Sequence, residues 1–75
     1  EVDIYPNPCN ETLNISQNGY QQLYLLNLTG QVVLEKKINQ GFNSINVGAF
    51  NPGIYILKLT GLKGTTVARV GVAGI

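Results

Sequence analysis

Asn51-Pro52-Gly53-Ile54-Tyr55-Ile56-Leu57-Lys58-Leu59 is the stretch on which the fold turns. Proline at the second position of Asn51-Pro52-Gly53 fixes φ and glycine at the third accepts a left-handed backbone, so the tripeptide reads as a type II turn. Beyond it Tyr55, Leu57 and Leu59 alternate with Ile54, Ile56 and Lys58, the period of two that defines a strand. The Tyr55 side reads as core. The isoleucine side, marked as outward only by Lys58, is expected to be partly covered, which hints that a sheet face or edge pairs.

Similar segments lie on either side. Residues 2–5 form an extended run closed by Pro6-Asn7-Pro8, where each proline pushes the residue before it toward extended geometry. Residues 12–16 alternate, with Leu13 and Ile15 on one face. Asn18-Gly19 carries the residue pair of a type I′ hairpin turn. Residues 21–28 run into Thr29-Gly30 and out through 31–38 as a central hairpin. Gln40-Gly41 opens a looser connection to a fifth strand, in which Phe42, Ser44 and Asn46 oppose Asn43, Ile45 and Val47. Lys63-Gly64 makes another tight turn before a last strand over 65–72. Turn signals recur roughly every 8 to 12 residues, the rhythm of a sandwich or barrel of short strands, and no helical period persists. The predicted fold is all-β: one domain over residues 1–75, a seven-stranded antiparallel, Ig-like β-sandwich. A partly closed barrel of five or six strands is the alternative.

Composition narrows the function. The chain has 75 residues and 8.1 kDa, so it buries only ~60–65% of its unfolded surface and its core is thin. Charged residues are 12%, against roughly 25% in typical soluble proteins. Polarity comes instead from nine Asn and nine Gly. A net charge of +1 gives no field to steer the domain onto nucleic acid or an anionic membrane. His is absent, and with it any Ser-His-Asp triad, Cys-His pair or His-bearing zinc site in this chain. The single cysteine, Cys9, makes neither an internal disulfide nor a Cys-rich metal site, and beside Pro8 it reads as a small filler. No cofactor is expected. No apolar run approaches the ~20 residues of a membrane helix, and no signal peptide opens the chain. Because it begins at Glu1 and has no Met, the chain reads as a piece of a longer polypeptide.

The remaining clusters favour structural duties. Glu1 and Asp3 share a strand face while Glu11 and Glu35 are distant in sequence, so solvated charge is a better account than a paired-carboxylate site. Gly61, Gly64, Gly71 and Gly74 match no phosphate-binding string and read as turn and edge residues. Lys36-Lys37 beside Glu35 is too short for a basic patch. Of the aromatics Tyr5, Tyr20, Tyr24, Tyr55, Phe42 and Phe50, most are expected in the core. Tyr20 and Tyr24 are the two to check as a sugar-stacking platform. Asn10-Glu11-Thr12, Asn14-Ile15-Ser16 and Asn27-Leu28-Thr29 fit the glycosylation acceptor pattern, but nine asparagines make chance matches easy and no role is assigned to them.

Four strings taken together resemble a known family. Ile4-Tyr5-Pro6-Asn7-Pro8, Leu13-Asn14-Ile15, Leu25-Leu26-Asn27-Leu28-Thr29-Gly30-Gln31-Val32-Val33 and Asn51 to Leu59, in this order and spacing, resemble the type A C-terminal sorting domain of the type IX (Por) secretion system of Gram-negative bacteria. The resemblance covers nearly the whole chain. It implies a seven-stranded sandwich that addresses an exported protein and catalyses nothing. The implied route runs through the periplasm, where an N-terminal cargo domain missing from this chain would fold, to an outer-membrane translocon. The end point is the cell surface or the medium, where a surface peptidase removes the domain in many members. By the same resemblance Pro6, Asn7 and Pro8 fall on the opening motif, Gly30 on the hairpin glycine, and Gly53 and Tyr55 on a Gly-x-Tyr signature. Arg69-Val70 matches a basic residue followed by apolar ones in the last strand. Here the chain continues as Gly71-Val72-Ala73-Gly74-Ile75, without the further basic residue that members often carry.

With few charges to offer, recognition must use shape and main-chain hydrogen bonds, with weak salt dependence. Lys63, Gly64, Arg69, Val70 and Val72 are the candidate translocon-recognition residues, and proline at Val70 or Val72 is expected to abolish binding without unfolding the domain. The rival function is a sandwich accessory module binding carbohydrate or protein for a secreted enzyme, for which exposed Tyr20 and Tyr24 on one flat face would speak.

Overall fold

Leu13 and Ile15 share one face of a strand, as do Leu23 and Leu25, Ile45 and Val47, and Tyr55, Leu57 and Leu59, and these stripes meet to form the core. A computed structural model describes residues 2–5 and 11–73. Pro6, Asn7, Pro8 and Cys9 lie outside the described residues, as do Glu1, Asn10, Gly74 and Ile75.

Among the described residues there are seven strands and no helix: β1 Asp3–Tyr5, β2 Thr12–Gln17, β3 Gln22–Leu26, β4 Val32–Lys37, β5 Gly41–Asn46, β6 Gly53–Gly61 and β7 Gly64–Val72. They form two antiparallel sheets, one in the order β1-β2-β5 and the other β4-β3-β6-β7. Two separate sheets make this an Ig-like sandwich rather than a barrel, with the fourth strand hairpinned to the third. The Cα radius of gyration is 11.4 Å, close to the ~11 Å expected of a compact domain of this length.

Register explains the burial. Leu13 faces Ile45 across β2 and β5, Leu23 faces Leu59 and Leu25 faces Leu57 across β3 and β6, and Tyr55 faces Val70 across β6 and β7. Every one of these side chains is buried, because period-two alternation puts all inward residues of neighbouring strands at one level. Among the described residues two polar side chains are buried with them, Gln17 and Asn43. A register shift between Leu25 and Leu26 moves β4 from Leu34 to Val32 as partner, which accommodates one extra residue.

Three local expectations are corrected. Asn18-Gly19 is no hairpin: it carries the chain from β2 in the first sheet to β3 in the second. Among the described residues none other than glycine has a positive φ, so Asn18 cannot occupy the first position of a type I′ turn, and of the pair Gly19 alone takes the left-handed value, φ 102°. The hairpin over 21–38 forms, but β4 lies at the end of its sheet and β3 and β6 are the central strands. Gly53 opens β6 at φ 154°, far from the ~+80° of the third position of a type II turn. Proline and glycine there mark a crossing between sheets followed at once by a strand.

Candidate recognition surface

Tyr55 sits at the second inward position of β6, where the chain has just crossed from one sheet to the other. Its hydroxyl donates a 2.7 Å hydrogen bond to the Asn51 carbonyl, four residues upstream, and its ring lies 6.0 Å from that of Phe50 at 36°. A tyrosine near the start of the sixth strand tied back to the main chain is the tyrosine corner of Greek-key sandwiches. Gly53 precedes this anchor by two residues, so Gly-x-Tyr describes a corner of the fold, not a group presented to a ligand. Tyr55→Phe keeps the ring and removes the donor, leaving a part-buried carbonyl unpaired. It should lower stability by about 1–2 kcal/mol, seen as a lower denaturant midpoint at unchanged slope.

Gly30 belongs to a second shaping element. Asn27 Oδ1 accepts from the Thr29 and Gln31 amides and from the Thr29 hydroxyl, while the Gly30 amide donates to the Asn27 carbonyl at 3.0 Å. Gly30 closes this loop at φ 90°, with open space around it. The acceptor string Asn27-Leu28-Thr29 is therefore a folded asparagine turn.

At the opposite end of the sandwich Gln17 ties together two of the three crossings between sheets, β2 to β3 and β4 to β5. Its Nε2 donates to the carbonyls of Tyr20 (3.0 Å) and Asn39 (2.7 Å), and its Oε1 accepts from the Tyr20 amide at 2.9 Å. Asn43 completes the set, accepting from the Asn39 amide and donating to the Asn39 and Gly41 carbonyls. Lys36 reaches from β4 to the Ser44 carbonyl of β5 at 3.2 Å, a cation placed against main chain on the flank of the other sheet.

The two sheets present contrasting exteriors. Outward from β1, β2 and β5 stand Asp3, Tyr5, Thr12, Asn14, Ser16 and Ser44, with Phe42 62% exposed among them. Outward from the four-stranded sheet, register aligns Tyr24, Lys58 and Val67 in one row and Leu26, Ile56 and Arg69 in the next. Lys58 Nζ lies 5.9 Å from the Tyr24 ring centroid. Beside them a cleft of about 210 Å³ is lined by Tyr24, Leu26, Val32, Lys58 and Thr60. A second cleft of about 220 Å³ lies where Val2 and Ile4 meet Leu57, Leu59, Thr66 and Ala68.

Neither cleft gathers reactive groups. Among the described residues no three His, Cys, Asp or Glu side chains come together, and no helix is long and apolar enough to cross a membrane. What the molecule offers is contour. A family model for the secretion system C-terminal sorting domain matches residues 3–73, from the first strand to just past the last.

The chain belongs to that family. A relative, Beta-agarase D of Zobellia galactanivorans, is 39% identical over 69 residues, which are 92% of this chain and 14% of the relative. The chain thus spans about a seventh of that curated relative. As a sorting domain of the type IX secretion system it is a C-terminal address, and the protein bearing it is secreted or displayed at the cell surface.

The predicted recognition residues of the sorting domain divide in space. Lys63 is exposed beside Leu62, 95% exposed, at the tip joining β6 to β7, and Gly64 follows at φ 137°. Arg69 is exposed on the outer face opposite Ile56. Val70 and Val72 are buried against Tyr55 and Gly53. Proline at either valine would remove core packing, so the expectation that it leaves the fold intact is corrected. β7 does end its sheet, beside β6. The aromatic assignment is corrected too: Tyr20 packs against the core, Tyr24 is half-buried, and the exposed rings are Phe42 and Tyr5 (45% exposed). Sequence reasoning missed Gln17, because a lone glutamine at a strand end carries no pattern. It also missed Leu26, Val32 and Val67 as companions of Ile54 and Ile56, since their rows form only once β3, β4, β6 and β7 are in register.

Proposed function

We propose that this domain is a non-catalytic handle, grasped in the periplasm by the outer-membrane translocon of the type IX system and carried with an N-terminal cargo domain to the surface, where a surface peptidase acts on it. The observation that carries the proposal is the family match over almost the whole sandwich, joined to an exterior rich in shape and poor in reactive groups. A glycan-binding role, the second reading, is favoured by Tyr5 and Phe42 standing on one polar face with Asn14, Ser16 and Ser44. The deciding experiment fuses residues 1–75 behind a periplasmic reporter in a host with the secretion system. Surface or extracellular reporter is the expected result. A reporter stranded in the periplasm, with retention on a neutral polysaccharide matrix that Phe42→Ala abolishes, would establish the second reading instead.

A further inference from the structure

A solvated outer face of an antiparallel sheet is normally polar, and apart from the rings of Tyr5 and Phe42 the three-stranded sheet of this domain obeys that rule. The four-stranded sheet does not. Tyr24, Leu26, Val32, Ile54, Ile56 and Val67 all lie on its outer side, with Val67 62% and Val32 50% exposed. An apolar patch rimmed by polar residues marks a contact surface. Charge on this face is one-sided among the described residues: Lys37 stands at its β4 edge and Lys58 within it, and Glu35 is the one acid, held by Gln22 Nε2 at 3.3 Å.

We propose that this face docks onto a protein component of the secretion machinery whose matching surface is an apolar ridge flanked by carboxylates. The inference rests on the sorting function above and names the surface through which sorting acts. Charge selects the occupant. A second copy meeting the same face across a two-fold axis would bring the Lys37 and Lys58 sets of both copies together in a low-dielectric seam, which opposes pairing. A lipid surface calls for cations free to reach headgroups, whereas Lys58 is half-buried in the row with its Nζ 5.9 Å from the Tyr24 ring centroid. An acidic-rimmed protein surface satisfies both the apolar rows and Lys58. The contact lies on side chains, away from the buried Val70 and Val72, and an apolar centre makes its affinity only weakly salt-dependent.

The test uses the reporter fusion in a host with the secretion system, with Val67→Asp and Lys58→Glu on the proposed face and Phe42→Asp on the other sheet as control. Val67→Asp and Lys58→Glu should each reduce surface reporter about tenfold or more, as placing a charge, or reversing one, in a desolvated contact does, while Phe42→Asp exports like the parent. Thermal midpoints of the purified fusions check folding. If Val67→Asp lowers its midpoint, Val67→Thr, which keeps the β-branched shape, takes its place and should still reduce export. Normal export of folded Val67 and Lys58 variants overturns the proposal and leaves the sorting function standing. Failure of the parent fusion to export at all overturns the sorting function. Two further results would also overturn the proposal: a dimer of the fusion in sedimentation that Val67→Asp dissolves, or flotation with phosphatidylethanolamine–phosphatidylglycerol vesicles that Lys58→Glu abolishes.

Discussion

Replacing Gly61 by alanine should cost the domain about 3 kcal/mol and lower its thermal midpoint by roughly 10–20 °C. The reason is a backbone crossing. A Cβ at Gly61 would run into the carbonyl oxygen of Gly19 and sit 3.0 Å from Tyr20 Cα, so main chain on both sides must move. That main chain is fixed: the Gln21 amide donates to the Thr60 carbonyl at 2.9 Å, clamping the crossing from β2 to β3 against the end of β6. A chain of 75 residues has about 4–11 kcal/mol of stability in all, so the loss takes a large share. Gly48→Ala is the control, since its nearest atom is the side-chain Asn46 Oδ1 at 3.3 Å and Glu11 Cα follows at 3.7 Å. Thermal unfolding should leave Gly48→Ala within about 1 kcal/mol of the parent. Equal midpoints for the two variants would show that the crossing is looser than described.

Gln17→Leu should be nearly as damaging, about 3 kcal/mol in chemical denaturation, although leucine has almost the same volume and is more apolar. Gln17 is 2% exposed, and it supplies partners to the Tyr20 amide and to the Tyr20 and Asn39 carbonyls. Leucine leaves the Tyr20 amide facing an apolar side chain and takes one donor from each carbonyl, the Tyr20 carbonyl keeping Gln40 Nε2 at 3.2 Å and the Asn39 carbonyl keeping Asn43 Nδ2 at 2.7 Å. Gln40→Ala, which removes exposed hydrogen bonds to Gly19 and Tyr20, should cost under about 1 kcal/mol because water replaces it. A Gln17→Leu variant as stable as the parent would mean that burial of the side chain matters more than its polar contacts.

Both variants act where the chain passes from one sheet to the other, and those passages were the least legible part of the sequence. Asn18-Gly19 has the composition of a hairpin turn, and local preference would close β2 on the following strand. The outcome is different because Leu13 and Ile15 pair with β1 and β5, while Leu23 and Leu25 find Leu59 and Leu57 on β6. Long-range pairing of apolar rows outweighs the preference of one dipeptide. Strand positions, by contrast, follow from alternation alone: Tyr55, Leu57 and Leu59 face inward as their spacing requires, and the predicted strands differ from the observed ones only at their ends. The Gly-x-Tyr string was legible as a shape element, but the partner of the Tyr55 hydroxyl, Asn51, became visible only with the corner folded.

The candidate surface shows the same division. Ile54 and Ile56 declare an apolar exterior on one strand, because each strand announces its own two faces. Whether that exterior grows into a patch depends on which strands lie beside it. β3 contributes Leu26 and Tyr24 by pairing with Ile56 and Lys58 far along the chain, and β7 contributes Val67 through its hairpin with β6.

By itself the sequence determined the strands, the inward side of those that alternate clearly, such as Leu13 and Ile15 or Tyr55, Leu57 and Leu59, and the lack of a histidine-dependent chemistry, since these depend on residue type and on a period of two. Strand neighbours, the glutamine that joins two crossings, the glycine that another segment's carbonyl presses against, and the apolar exterior of one sheet were decided only in three dimensions. The physical reason is that each of them is an interaction between residues distant along the chain, whose free energy exists only when packing brings them within a few ångströms.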